Sequence, residues 1–339
     1  MKGEWILMQE QKSRESGELE KLDAQIVEFI RQRAQKVCEE NGVKPVPIKK
    51  AVLETICRDI SSACDELVVP RRVAFLGPFY SYSHLALMDY FGVGVSLSPV
   101  TTISAVFEEI ERKQADFGVV PMENSTDGGV VDALESFVRH PVKICGEVRI
   151  PIHHSLAAKC SRAEITEVHS KPQVLSQCRH WLNRHLPGVR VVEAPSSADA
   201  AKRAASKKGV AAITSEMGAK AYHLKVLEKA VEDNPNNCTR FVVLGNVETR
   251  KTGRDKTTLI LELPHQPGAL ADAMMVFKKK HLNLTWIESF PAPGTFSTYL
   301  FFVDFEGHES ELKVRRALTM LQSKACRVSV LGSYARSKD

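Results

Sequence analysis

No apolar run in the 339-residue chain approaches the roughly 20 residues needed to cross a bilayer as a helix; the longest, such as residues 299–303, are far shorter. Residues 1–11 carry Glu4 and Glu10 around a brief apolar patch at 5–8. That is not the pattern of an export signal, so a cytosolic protein without membrane association is expected. Cysteine pairs of the C-x-x-C kind are missing, and the eight cysteines sit mostly inside apolar patterns, as at Val37-Cys38 and Ile144-Cys145, where they read as reduced core residues. None of the 11 histidines has H-x-x-x-H or H-E-x-x-H spacing, so no metal site is expected. A field of one sign is lacking too: 46 basic and 41 acidic residues are interspersed and leave a net charge of only +5, which gives no reason to expect nucleic acid as a partner. The run Lys278-Lys279-Lys280 closes the amphipathic segment 269–277, where cations favour a helix C-terminus.

What is present suffices for packed cores: 43% hydrophobic and 26% charged residues, over a length that implies two or three domains. In residues 19–37, Leu19, Leu22, Ile26, Phe29, Ile30, Ala34 and Val37 recur at three and four, which predicts a helix with one apolar stripe, stopped by Gly42 and the Pro45/Pro47 pair. A second stripe through Val52, Leu53, Ile56, Ile60, Ala63 and Leu67 predicts another helix, ended before Pro70. Two helices cannot bury their own faces, so dimerisation is expected there.

From Arg72 the texture changes to strand, polar loop and helix, repeated. Residues 73–77 precede 84–91, 116–121 precede 130–138, 167–169 precede 170–186, 189–193 precede 198–207, and 210–214 precede 215–222, with the strand-like 240–244 closing the region. This alternation predicts parallel sheets with helices on both faces, in two lobes. Residues 247–256 are polar and read as a linker. Beyond them the order is strand 257–263, helix 268–279, strands 282–290 and 299–305, helix 311–321 and strand 327–333, the βαββαβ order of a ferredoxin-like plait.

In such sheets ligands sit beyond the C-terminal strand ends. Three loops there are rich in hydroxyl and amide groups: residues 77–84, residues 123–129, and residues 169–173 leading to Gln177. Together they suit a small dicarboxylate, although each alone has the composition of an ordinary helix cap. Residues 233–237 deliver the Thr239 hydroxyl and the Arg240 guanidinium onto an apolar strand, one candidate acid and one candidate anchor; the alternative is an asparagine-rich turn with a strand-edge threonine. His153 and His154 are adjacent, so on a strand they point to opposite faces.

These residues resemble a known set. The stretch 72–244 is similar to a prephenate dehydratase domain through VAFLGPFYSYSHLA, DFGVVPMENSTDGGVVD, GEVRIPIHHSLAAK, VHSKPQVLSQCR, AAITSEMGAKAY and EDNPNNCTRFVVLG. The resemblance implies two α/β lobes of periplasmic-binding-protein type with substrate between them, and conversion of prephenate to phenylpyruvate, carbon dioxide and water without metal or cofactor. It implies catalytic roles for Thr239, Glu123, Asn124, Ser170 and Gln177. Ser81, Ser83, His84, Ser125, Thr126, Arg240 and Phe241 complete the implied substrate-binding set, with Phe79-Tyr80 replacing the small or charged residues usual in that loop. In this reading Thr239 donates a hydrogen bond to the departing hydroxyl, and Glu123 or His84 supplies the proton.

Residues 257–334 resemble the ACT regulatory domain through LPHQPGAL, NLTWIESFP and YLFFVDFEGH. This implies L-phenylalanine as an inhibitory effector held at a subunit interface by Gly268, Ala269, Leu270, Asn283, Leu284, Glu288 and Ser289, with Phe290 where the family commonly has Arg. Residues 19–67 are similar to an all-helical chorismate mutase: Leu22-Asp23 and Arg33 match its first helix, RDISSA its last, and Lys44 a substrate-binding lysine. The acidic-arginine stretch between its helices is absent, and Cys64 and Val68 replace a small polar residue and a glutamine, which implies a contracted remnant kept for assembly. The expected organisation is 1–69 mutase-like, 70–247 catalytic and 255–336 regulatory, in a homodimer or homotetramer. Arogenate dehydration, residual mutase activity and a non-enzymic anion-binding role are the alternatives.

Overall fold

A computed structural model describes residues 2–44, 47–68, 70–292 and 298–337. The chain divides into two compact units, one comprising residues up to 70 together with 91–95, the other residues 71–90 together with those from 96 onward. The first is built on two helices, α1 (Lys2–Glu40) and α2 (Lys50–Val68). Helix α1 begins far upstream of the expected start at residue 19: residues 2–18 are mostly good helix formers, and propensity alone continues the helix where no apolar stripe marks it. Pro45, part of the expected stop, lies outside the described residues. The expected stripe is only partly covered, with Ile26, Ile30 and Ala34 half-buried but Leu22 at 52% and Phe29 at 68% exposure, and Arg33 and Lys44 are exposed as well. Within this unit the Gly94 N–H donates to Ser62 Oγ at 2.9 Å.

The second unit starts with β1 (Arg72–Leu76), α3 (Tyr82–Phe91), β2 (Ser96–Val100), α4 (Ile103–Glu111), β3 (Phe117–Asn124), β4 (Gly128–Gly129), α5 (Val131–Arg139) and β5 (Ile144–Pro151). The chain then enters a second lobe of β6 (Ser155–Ala158), β7 (Glu167–Ser170), α6 (Pro172–Gln177), α7 (Arg179–His185), β8 (Arg190–Glu193), α8 (Ser197–Ser206), β9 (Val210–Thr214), α9 (Glu216–Ala221) and β10 (Lys225–Lys229). It returns to the first lobe as β11 (Cys238–Gly245). The first sheet has the order β2-β1-β3-β11-β5 with β4 beside β3, the second β10-β6-β9-β7-β8.

Neither sheet is all-parallel, which corrects the expectation from alternation. In the first sheet β1 runs parallel to β2 and β3, but β11 runs antiparallel to both its neighbours, β3 and β5. The chain re-enters from the second lobe at the end where β3 leaves, so it must run back against it. In the second sheet β6 is likewise antiparallel to β9 and β10.

The unit ends in the expected plait: β12 (Asp255–Glu262), α10 (Ala269–Lys279), β13 (Leu284–Pro291), β14 (Tyr299–Glu306), α11 (Leu312–Gln322) and β15 (Arg327–Ala335), in the sheet order β13-β14-β12-β15. Strand period divides its sheet into two faces. Leu259, Leu261, Val303 and Phe305 pack under Val276, Phe277, Val314 and Leu321 of the helices, whereas Ile260, Phe302, Leu331 and Tyr334 join the first lobe's core beside Phe137 and Ile144. The approach is close: a Cβ at Gly332 would stand 2.0 Å from the Ile144 carbonyl oxygen, so only glycine fits there. Strand β12 begins inside the expected linker, and Lys256 is a core residue.

Candidate active site

Thr239 and Arg240 open β11 opposite the end of β3, with Thr239 paired to Asn124 and Arg240 to Glu123. Side chains alternate along a strand, so Thr239 and Asn124 share one face and Arg240 and Glu123 the other. On the first face Asn124 Oδ1 accepts the backbone N–H groups of Thr126 (2.9 Å) and Asp127 (3.2 Å), an Asx turn. That fixes the amide, and Asn124 Nδ2 donates to Thr239 Oγ1 at 2.8 Å. One lone pair of the Thr239 hydroxyl is engaged, and among the described residues no acceptor takes its proton.

Beside this pair, Ser125 Oγ (3.3 Å) and Thr126 Oγ1 (3.2 Å) donate to Asn237 Oδ1, while the buried Asn237 Nδ2 has no partner among the described residues. Thr126 and Asn237 border a cleft of about 360 Å³, lined by them and Asp127 on one side and by Gln173, Gln177 and His180 on the other; Asn124, Ser125 and Thr239 lie behind this lining rather than in it. Asp127 accepts from Gln173 Nε2 and, at 3.4 Å, from Gln177 Nε2, and so bridges the lobes.

Gln177 is oriented from behind. Its Oε1 lies 3.0 Å from His154 Nε2, and its own donor faces Asp127, so His154 carries the Nε2 proton. Burial pushes the His154 pKa down, which keeps the ring neutral. Glu232 accepts the His154 backbone N–H and meets His153 Nδ1, both at 2.8 Å, and Tyr82 Oη donates to the His153 carbonyl at 2.5 Å. A tyrosine of the first lobe, the two crossing segments and a glutamine of the second lobe are thus one network.

Several expected site residues stand elsewhere. Glu123 turns to the far face and pairs with Arg240 (Nε to Oε2, 3.0 Å), so it does not meet Thr239. The Arg240 side chain is 3% exposed in an ion cluster on the face opposite Thr239, so strand alternation removes it from the cleft, whereas Phe241 shares the Thr239 face and is removed by burial in the core. Ser170 is fully buried, and its hydroxyl donates to the Ile213 carbonyl at 2.7 Å. Ser81 caps α3, donating to the Leu76 carbonyl and accepting the His84 N–H, both at 3.3 Å, and Ser83 is buried. His84 accepts the Tyr80 N–H on Nδ1 at 3.1 Å among the rings of Phe75, Phe79 and Tyr80. Burial lowers its pKa, so it is a neutral ring and a poor proton source. Asn237, Asp127, Gln173 and His154 join the site although sequence reasoning did not select them; the signal for Asn237 was the dense amide loop before Thr239.

In the plait, Gly268 takes a left-handed conformation (φ +87°) just before α10, followed by Ala269 and the exposed Leu270. Asn283 and Ser289 are exposed, and Leu284 is half-buried. Glu288 turns to the first lobe: a Cβ on Gly129 would meet its side chain at 3.1–3.2 Å. Phe290 packs edge-on to Phe302 at 6.3 Å, so the position where the resemblance implies Arg serves the contact between plait and first lobe.

The model of the prephenate dehydratase family matches residues 73–249. A bifunctional chorismate mutase/prephenate dehydratase from Pseudomonas aeruginosa is 40% identical over 293 residues, covering 86% of this chain and 80% of the relative. Among solved structures, a prephenate dehydratase from Arthrobacter aurescens in complex with L-Phe superposes with a TM-score of 0.72 at 32% identity, over 78% of this chain and 90% of that one. A chain described as a novel type of quorum-quenching acylase gives 0.71 at 27% identity, over 79% and 98%. On the family match and the identity over most of its length, this chain belongs to the prephenate dehydratase family.

Proposed function

We propose that the cleft converts prephenate to phenylpyruvate, carbon dioxide and water, with the Thr239 hydroxyl donating to the hydroxyl that leaves. The observation that carries this reading is the hydrogen bond from Asn124 Nδ2 to Thr239 Oγ1, which aims the Thr239 hydroxyl proton away from Asn124. Electrons of the bond to the ring carboxylate enter the ring as carbon dioxide departs, the bond to the hydroxyl breaks, and one proton taken up from solvent completes the water. Aromaticity drives the step, so the protein has to hold the dianion and stabilise the leaving oxygen. The unpartnered Asn237 amide and Gln177 are the donors for the carboxylates, Gln177 exchanging Asp127 for substrate. Among the described residues the only hydrogen-bond partner of Thr239 Oγ1 is an amide, which cannot deprotonate it, so a donor role fits better than a nucleophile of acyl transfer.

In the same reading residues 255–336 are an ACT domain that takes L-phenylalanine through the motifs at Gly268 and Ser289, supported by the L-Phe complex of the Arthrobacter relative. Residues 1–69 are a mutase-like remnant whose exposed Leu19, Leu22, Phe29 and Val37 pair with a second copy of the chain, in a cytosolic homodimer or homotetramer. The test offers prephenate, arogenate and chorismate separately to the purified chain and follows aromatic product with and without L-phenylalanine. Phenylpyruvate from prephenate alone, suppressed by L-phenylalanine, is the expected result; product from arogenate alone, or none from any of the three, refutes the assignment.

A further inference from the structure

The far face of the β3–β11 pair carries a buried ion cluster that the reaction itself does not use. Arg240 contacts Glu123 through Nε at 3.0 Å, and its Nη1 contacts Asp304 of β14 at 2.9 Å and Glu147 of β5 at 3.6 Å. Its guanidinium carbon lies 4.9 Å from the ring centre of Trp286 in β13. Lys256 of β12 reaches Glu147 at 2.8 Å and Asp304 at 3.8 Å. Asp304 also accepts the Thr258 hydroxyl at 2.6 Å. Two cations therefore meet three carboxylates, and all but Glu123 have side chains no more than 3% exposed. Burying so many charges gives little stability that apolar packing would not give, so such a cluster is better understood as fixing geometry.

The geometry it fixes is the one the reaction depends on. Arg240 and Glu123 are the immediate chain neighbours of Thr239 and Asn124, and the two cross-strand pairs lie back to back through the sheet. Directly beyond Arg240 the register shifts, because Phe241 pairs with Pro121 and Met122 is left as an extra residue. A bulge there loosens the ladder and turns side chains. We infer that Arg240 is a positioning residue for the dehydration: it clamps β11 to β3 beneath Thr239 and Asn124 and, through Asp304, ties that clamp to the plait. The inference rests on the reading of Thr239 as the donor. Only arginine suits the position, since its planar fork reaches Glu123 and Asp304 from different nitrogens whereas lysine offers a single point charge.

The test uses the full chain carrying Arg240→Lys or Asp304→Asn, with Thr239→Val measured beside them. Folding is checked by circular dichroism and thermal midpoint, and kcat and KM for prephenate are determined separately. A folded Arg240→Lys or Asp304→Asn chain is expected to lose about tenfold or more in kcat while KM changes by no more than about twofold, a split that mere loss of stability would not produce. If both buried variants fail to fold, Glu123→Gln at the solvent-facing rim leaves Glu147, Lys256 and Asp304 paired and is expected to show the same split with an unchanged pH profile. Folded variants with kcat within about twofold of the parent, while Thr239→Val is inactive, overturn the clamp alone. An active Thr239→Val chain overturns the donor reading and the clamp with it, and a Glu123→Gln chain with a displaced acid limb overturns the clamp by making Glu123 a proton source.

Discussion

Replacing Asn124 by Asp exchanges one NH2 group for an oxygen and changes almost no shape. The retained oxygen still accepts the Thr126 and Asp127 N–H groups, so the turn after β3 persists. The donor to Thr239 is lost, and a carboxylate oxygen 2.8 Å away would draw the Thr239 proton to itself, away from the leaving hydroxyl. Removing one donor aimed at developing oxyanion charge costs roughly 3–4 kcal/mol, or about a hundred- to a thousandfold in kcat. The carboxyl of Asn124→Asp is placed where the native residue is 8% exposed, so burial will raise its pKa, and protonation at low pH restores a donor toward Thr239. The assay is phenylpyruvate formation at saturating prephenate across pH, with thermal midpoints alongside. A deep loss at neutral pH that shrinks as the medium is acidified is the expected pattern; a kcat within about twofold of the parent at neutral pH would refute the assignment of Asn124 as the group that orients Thr239.

Three further outcomes are expected. Asn237→Leu removes the unpartnered buried amide and should raise KM for prephenate by about tenfold, with kcat changed less; an unchanged KM in steady-state kinetics removes Asn237 from the substrate site. Burial lowers the pKa of both His84 and His154, so the unfolded chain binds more protons than the folded one below about pH 6.5, and stability that is complete above that pH is lost as pH falls through the folded values; urea midpoints flat down to pH 5 would contradict this. Lys256→Met leaves Glu147 and Asp304 short of a cation and should cost about 3–5 kcal/mol, a fall in thermal midpoint on the order of 10 °C, readable by calorimetry; an unmoved midpoint would show that the cluster tolerates the imbalance.

Much of the fold is visible in local pattern. The βαββαβ order of the plait and the strand–helix alternation of both lobes follow from periodicity, which reports which face of an element is buried. Strand direction does not, because β11 pairs with β3 and β5 over more than 80 residues of intervening chain, and such pairing is decided by where the chain re-enters the lobe. Lys256 looked like linker because its neighbours are polar, yet it is buried by carboxylates at positions 147 and 304 that nothing local announces. Thr239 and Asn124 were legible as motif residues, and alternation would have separated them from Arg240 and Glu123 once the two strands were known to pair. Ser170 and His84 come from the family resemblance, and only tertiary contacts reveal that their polar atoms are already bonded within the lobes. The extension of α1 to Lys2 escaped a reading based on stripes, since those residues are helical by propensity without an apolar face.

The most direct test of the account is the turnover of prephenate by Thr239→Val and Thr239→Ser chains with fold verified by thermal melting. Valine keeps the shape without the hydroxyl and serine keeps the hydroxyl, so a loss of about a hundredfold or more in kcat for the first and substantial recovery in the second is the expected result. Equal rates in all three chains would contradict it.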